Sequence, residues 1–210
     1  MITEPARRLF KAPIEATADA LARLGITPNG LTIVGASMHL FVLLALARGD
    51  FQQGALLLLV ACGIDGVDGT LARRTGRSSS FGAFLDSTLD RVSEILVFLG
   101  LLLFSQTAAG SIRPGGFAAW LVYLALCGSL MVSYSRARAE GAGLGTRAGI
   151  FGRLERMTVL WLGLISGWVA AALWVVAVGA WVTTGQRVLD VWRLSRTELR
   201  PAEARPETAD

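Results

Sequence analysis

Four aspartates stand close together in the first half of the chain. Asp65 and Asp68 are three residues apart, and Asp86 and Asp90 are four apart. On helices, either spacing places both members of a pair on one face. Carboxylates brought together repel one another and call for a cation. Oxygen ligands favour Mg²⁺, Mn²⁺ or Ca²⁺ over zinc. Mg²⁺ keeps positions open for substrate phosphates, and two metal ions can share four carboxylates. Gly66, Gly69 and Gly82 leave room for a ligand close to the backbone, and Arg73 can pair with a phosphate. The plainer alternative is a structural network, with the aspartates paired to Arg73, Arg74 and Arg91. Charges written between two apolar stretches are costly, which favours a functional site.

The elements that must carry these residues are apolar. The chain has 210 residues, 53% hydrophobic and 17% charged, with a mean hydropathy of +0.53. Six apolar runs lie near 31–48, 52–73, 81–105, 116–138, 154–166 and 168–188, the last two divided only at Ser166 and Gly167. This pattern predicts an all-α polytopic membrane protein with six transmembrane helices. A soluble bundle is the alternative, but Ala170–Val182 carries no charge, whereas a soluble helix needs a polar face. Ile14, Ala18, Leu21 and Leu24 recur at helical spacing, with Pro13 suited to a first turn. They predict an amphipathic juxtamembrane helix. The expected division is a cytoplasmic N-terminal segment (1–30), a transmembrane catalytic domain (31–188) and a polar, disordered tail (189–210).

The N-terminus lacks the pattern of a signal peptide, since Arg7, Arg8 and Lys11 alternate with Pro5, Pro13 and Glu15. Cys62 and Cys127 fall in apolar runs and read as packing residues rather than a disulfide. His39, the single histidine, reads as a satisfied polar residue. With six spans both termini share a side. Of the 20 lysines and arginines, only Arg48 and Arg113 fall opposite. The positive-inside rule makes the crowded side, including the aspartates, cytoplasmic, and the expected location is the cell membrane.

The run Asp65-x2-Asp68-Gly69-x2-Ala72-Arg73-x8-Gly82-x3-Asp86-x3-Asp90 resembles the signature of the CDP-alcohol phosphotransferases. The resemblance implies a six-span fold, usually a homodimer, with a cytoplasmic active site. It implies that Asp65, Asp68 and Asp86 hold two divalent ions, Mg²⁺ or alternatively Mn²⁺. Asp90 would bind one ion and act as general base. Gly69, Arg73 and Ser79 would contact the cytidine diphosphate of CDP-diacylglycerol or another CDP-linked lipid. Asn29, Gly30, Leu31 and Thr32 resemble the family's nucleotide-lining segment, although Pro-Asn before an apolar run is also an ordinary helix start. No nucleic-acid partner is expected.

The signature leaves the acceptor alcohol open. Asp86–Arg91 ("DSTLDR") and Ser133–Met157 resemble the branch that uses inositol phosphate, with Leu154 standing where that branch often has proline. An acceptor carrying phosphate needs basic residues near the metals. Arg136, Arg138, Arg153 and Arg156 are the candidates, the alternative being charge flanking and pairing to Glu140 and Glu155. The function expected is phosphatidylinositol-phosphate synthesis from inositol 1-phosphate with release of CMP. Glycerol 3-phosphate as acceptor is one alternative, and a non-catalytic protein that binds metal or nucleotide is another.

Overall fold

A computed structural model describes residues 4–107, 116–146 and 148–198. The described residues form seven α-helices and no strands: α1 Glu4–Arg23, α2 Pro28–Arg48, α3 Phe51–Arg74, α4 Ser80–Ser105, α5 Ala119–Gly141, α6 Arg153–Ser166 and α7 Val169–Glu198. Three of them, α2, α3 and α7, are long and apolar enough to cross a membrane. Ionised residues interrupt the apolar pattern at one end of α4 and of α5, and α6 has only 14 residues.

Local chemistry sets the helix starts near the aspartates. Thr27 caps α2, its hydroxyl accepting the Gly30 amide at 3.2 Å, and Pro28 occupies the first turn. Ser79 caps α4 in the same way, accepting the Gly82 amide at 3.0 Å. The α3–α4 turn is short, but both helices pack on α2 rather than on each other, so the two aspartate pairs lie on either side of that turn beside the start of α2.

Helices α2–α7 share one core, to which Leu46, Leu58, Phe98, Leu121, Leu160 and Leu173 each contribute. Indole N–H groups tie its parts together. Trp161 donates to the Ala55 carbonyl at 3.1 Å, joining α6 to α3, and Trp181 to the Leu124 carbonyl at 3.2 Å, joining α7 to α5. The outward faces are apolar as well: Phe41, Val60, Trp120, Val178 and Trp168 are all exposed.

Helix α1 packs through Ala18 and Leu21 onto Leu31, Val67 and Leu71. A forked pair adds to the contact, with Arg74 Nε and Nη2 at 2.5 and 2.7 Å from the Asp19 carboxylate. Two expectations are corrected here. Pro13 lies inside α1 rather than in its first turn, because the helix already starts at Glu4. Leu24 is 75% exposed, beyond the end of α1, and Ile26 takes its place against the cluster. At the other end, α7 continues through Glu198, past the expected boundary at 188. Polarity alone does not stop a helix, and no Gly or Pro falls between Gln186 and Glu198. Arg113, Arg147 and residues 199–210, the remainder of the expected tail, lie outside the described residues, as do the side chains of Arg7, Arg8 and Lys11.

Candidate active site

The α3–α4 turn lies beside the start of α2, on which both helices pack. Asp68 is 5% exposed, with the Thr32 hydroxyl donating to its Oδ2 at 2.6 Å. Asp65 sits against Gly35 of α2, where a Cβ would stand 2.8 Å from the Asp65 Oδ1. A side chain at position 35 would therefore displace the carboxylate. Asp86 borders the cavity that Asp68 also lines. Asp90 lies one turn further along α4, facing α6.

The cation in contact with these carboxylates is an unexpected one. Arg153, the first residue of α6, lies with Nη1 at 2.7 Å from Asp90 Oδ1 and Nη2 at 3.3 Å from Asp65 Oδ2. Arg91 adds a longer contact of 3.4 Å to Asp90. Arg74 turns instead to Asp19, and the Arg73 Nη2 donates to the Thr70 hydroxyl at 3.1 Å. The structural network weighed from the sequence is thus present in part, carried mainly by Arg153. Among the described residues no three acidic, His or Cys side chains come together closely enough to grip an ion. The donor set nevertheless suits a hard divalent cation. It consists of hard carboxylate oxygens on two joined helices, and two of the four carboxylates already share one positive group. His39 and Cys62 lie near Asp65 and Arg153 but make no hydrogen bond or ion pair to them among the described residues. The His39 Nδ1 lies 3.0 Å from the Gly35 carbonyl, and Cys62 and Cys127 are free thiols.

Two cavities adjoin the aspartates. The smaller, about 210 Å³, is lined by Asn29, Thr32, Asp68, Gly69, Arg73, Ser79 and Asp86. The first turns of α2 and α4 both open onto it, so the positive ends of two helix dipoles face an anion there. Gly82 permits the approach of the two turns, since a Cβ there would lie 3.2 Å from both Asn29 Oδ1 and Ser79 Oγ. Two residues expected here are placed elsewhere. Gly30 spends its amide on the Thr27 cap of α2, and Leu31 is buried against α1 and α3. Two polar lining residues were missed, Arg77 and Ser78. Both sit in the inter-helix loop, where a base among hydroxyls was the available signal.

The larger cavity, about 790 Å³, lies between α4, α5, α6 and α7 and is lined by Arg91, Ser133, Arg136, Arg153, Arg156 and Arg187. Of the four arginines expected, Arg136 is exposed and pairs with Glu140 at 2.8 Å. Arg138 does not line the cavity. Two residues on from Arg136, it is carried to another face of α5. Arg153 links cavity and aspartates. Arg156 is at the wall but occupied: Nε and Nη2 lie 3.2 and 3.0 Å from Glu94 Oε1. Arg91 and Arg187 were missed as lining residues. Arg91 Nη1 contacts the Ser133 hydroxyl. Arg187 is buried, with Nε donating to the Ala148 carbonyl at 3.0 Å and Nη1 in contact with the Val132 carbonyl. The signal for Arg187 was available: a charge within an apolar helix is as costly there as at the aspartates. The Nε groups of Arg91 and Arg153 are buried without a partner among the described residues.

The four carboxylates thus lie on either side of the α3–α4 turn, with a small cavity at one side and an arginine-lined one at the other. The chain belongs to the CDP-alcohol phosphatidyltransferase family, whose model matches residues 25–192. It is 41% identical over 191 residues to the archaetidylinositol phosphate synthase of Pyrococcus horikoshii, covering 88% of this chain and 93% of the relative. It is 35% identical over 211 residues to the phosphatidylinositol phosphate synthase of Streptomyces avermitilis, covering 93% and 84%. The fold is similar to that of the Mycobacterium tuberculosis phosphatidylinositol phosphate synthase with CDP-DAG bound. The TM-score is 0.78 at 29% identity, over 93% of this chain and 98% of that one. A structure of that mycobacterial enzyme in complex with manganese and citrate matches with a TM-score of 0.77 at 30% identity, over 85% and 88%.

Proposed function

We propose that the protein transfers the phosphatidyl, or a related lipid-phosphate, group of a CDP-linked lipid to a hydroxyl of inositol 1-phosphate, releasing CMP. The observation that carries this reading is the pair of cavities on either side of one aspartate cluster. The smaller, with two helix N-termini, Arg73 and Ser79, suits the cytidine diphosphate of the donor. The larger is lined by Arg91, Arg136, Arg153 and Arg187, a set of guanidinium groups suited to the acceptor's phosphate. The relatives named above share inositol phosphate in their names and differ in the lipid.

Asp65, Asp68, Asp86 and Asp90 would hold two divalent ions, Mg²⁺ or Mn²⁺. When bound, these ions supply positive charge to the diphosphate and the departing CMP. Asp90 is the general base. Its arginine partners, Arg91 and Arg153, both line the larger cavity, so its carboxylate stands on the acceptor side, where it takes the proton of the attacking hydroxyl. The hydroxyl oxygen forms a bond to the lipid-bearing phosphorus as the bond to the CMP oxygen breaks. Thr32 holds the Asp68 carboxylate in one rotamer, and Gly35 leaves space for Asp65. Arg91, Arg136, Arg153 and Arg187 orient the acceptor and offset its charge.

The same reading includes the six-span arrangement, with α2–α7 crossing a cell membrane, both termini and the site on the cytoplasmic side, and the chain acting as a homodimer. Its support is the apolar outer surface of the helices, larger than water tolerates on a monomer, and the crowding of arginine at the aspartate end. Helix α1 then lies at the interface. Assay of the purified protein with CDP-diacylglycerol and Mg²⁺ tests the activity. CMP release is expected with inositol 1-phosphate and not with inositol or serine. Preference for glycerol 3-phosphate would replace the acceptor, and equal use of inositol would remove the phosphate pocket.

A further inference from the structure

Helices α4 and α6 meet through a two-rung ladder of ion pairs. Asp90 and Glu94 lie one turn apart on α4, and Arg153 and Arg156 lie one turn apart on α6. The first rung, Arg153 to Asp90 at 2.7 Å, is partly open to the large cavity. The second, Arg156 to Glu94 at 3.0 Å, is closed, with each side chain only 1% exposed. Arg156 also donates from Nη1 to the Phe151 carbonyl at 3.4 Å, just before α6 begins. The Phe151 ring is itself wedged against α7, where a Cβ on Gly179 would be 2.6 Å from it.

A buried pair of this kind adds little stability over well-packed apolar residues of the same volume. What it does fix is geometry. Arg153 is the first residue of α6, and the preceding Gly152 makes no side-chain cap. The start of α6 is held by Arg156, through Glu94 on one side and the Phe151 carbonyl on the other, together with the Phe151 amide, which donates to the Thr183 hydroxyl of α7 at 3.1 Å. We propose that Glu94 and Arg156 are positioning residues for the acceptor. The buried rung sets the first turn of α6 so that Arg153 spans Asp65, Asp90 and the arginine-lined cavity. Arg156 thus acts on the acceptor through Arg153, with its own guanidinium committed to Glu94. This rests on the assignment of that cavity to the acceptor's phosphate.

The test replaces the pair by apolar residues of similar length, Glu94→Met with Arg156→Met, and compares thermal midpoint, kcat and both KM values with the parent. The expected result is a folded protein whose acceptor KM rises about tenfold or more, as misplacement of an orienting group requires. The donor KM should stay within about twofold. Arg156→Lys, which keeps the charge without the fork, should fall between parent and double variant. A folded double variant with kcat and acceptor KM within about twofold of the parent overturns the proposal, as does an equal rise in both KM values. Should the double variant not fold, Arg156→Lys and Glu94→Gln are judged by the same criteria. Failure of all three to fold assigns the pair to stability and also overturns the proposal. The acceptor in these titrations is whichever of inositol 1-phosphate and glycerol 3-phosphate the parent uses. A parent that uses neither removes the proposed function itself, and the positioning role with it.

Discussion

The two cavities beside the aspartates are built in opposite ways. The smaller is made from consecutive elements, the starts of α2 and α4 and the end of α3 with the turn that follows it, and relies on helix N-termini, hydroxyls and two arginines. The larger takes its arginines one or two at a time from α4, α5, α6 and α7, and several are already engaged by protein partners. A site assembled from neighbours in sequence depends on local turns and caps. A site assembled from four helices depends on how those helices pack.

That contrast can be broken or sharpened by substitution. The aspartates serve both sides, so Asp65→Ala, Asp68→Ala or Asp86→Ala is expected to abolish CMP release in saturating Mg²⁺ while the protein still folds. Near-normal activity would remove that residue from the required set. Asp90→Asn keeps shape and one oxygen but cannot take a proton. Its turnover should fall by at least about 10²-fold, with donor binding, followed by calorimetry, retained. On the acceptor side, Arg187→Gln should raise the acceptor KM by about 10- to 150-fold, the worth of a charge-assisted hydrogen bond, and leave the donor KM alone. A rise in both would mean that the two cavities are not separate. Thr32→Val removes the 2.6 Å bond to Asp68 without changing side-chain shape. It should cost about 2- to 12-fold, seen as a higher Mg²⁺ requirement with the acceptor KM unchanged. Arg138→Gln, outside both cavities, should stay within about twofold of the parent in every constant.

The same contrast explains what could be read from the sequence. The aspartate pairs, Gly82, Arg73 and Ser79 occupy one contiguous run, and helical periodicity is enough to bring them together. The positions of the six apolar helices follow from composition for the same reason. Arg153 and Arg156 look alike in "GRLERM", yet one bridges two aspartates and the other is locked to Glu94. Nothing local distinguishes them, because the difference is made by α4. Arg187 falls at the end of the apolar run near 168–188, whereas α7 runs on to Glu198 and places that arginine inside the bundle. Pro13 and Leu24 misled for a local reason: the periodicity of α1 was read without knowing where the helix began and stopped.

The opening of two helix starts onto the smaller cavity has a consequence for timing and control. Peptide dipoles are set in place when the protein folds. They neither titrate nor swing away, so an anion arriving there meets a field that needs no rearrangement to receive it. Such a field also offers no handle for adjustment by protons or by side-chain motion. It can be weakened only by fraying the first turn of a helix. The Thr27 and Ser79 hydroxyls, which hold those turns closed at 3.2 and 3.0 Å, therefore act as a pair of latches, and loosening either would be felt as slower capture of the donor before any loss of the fold.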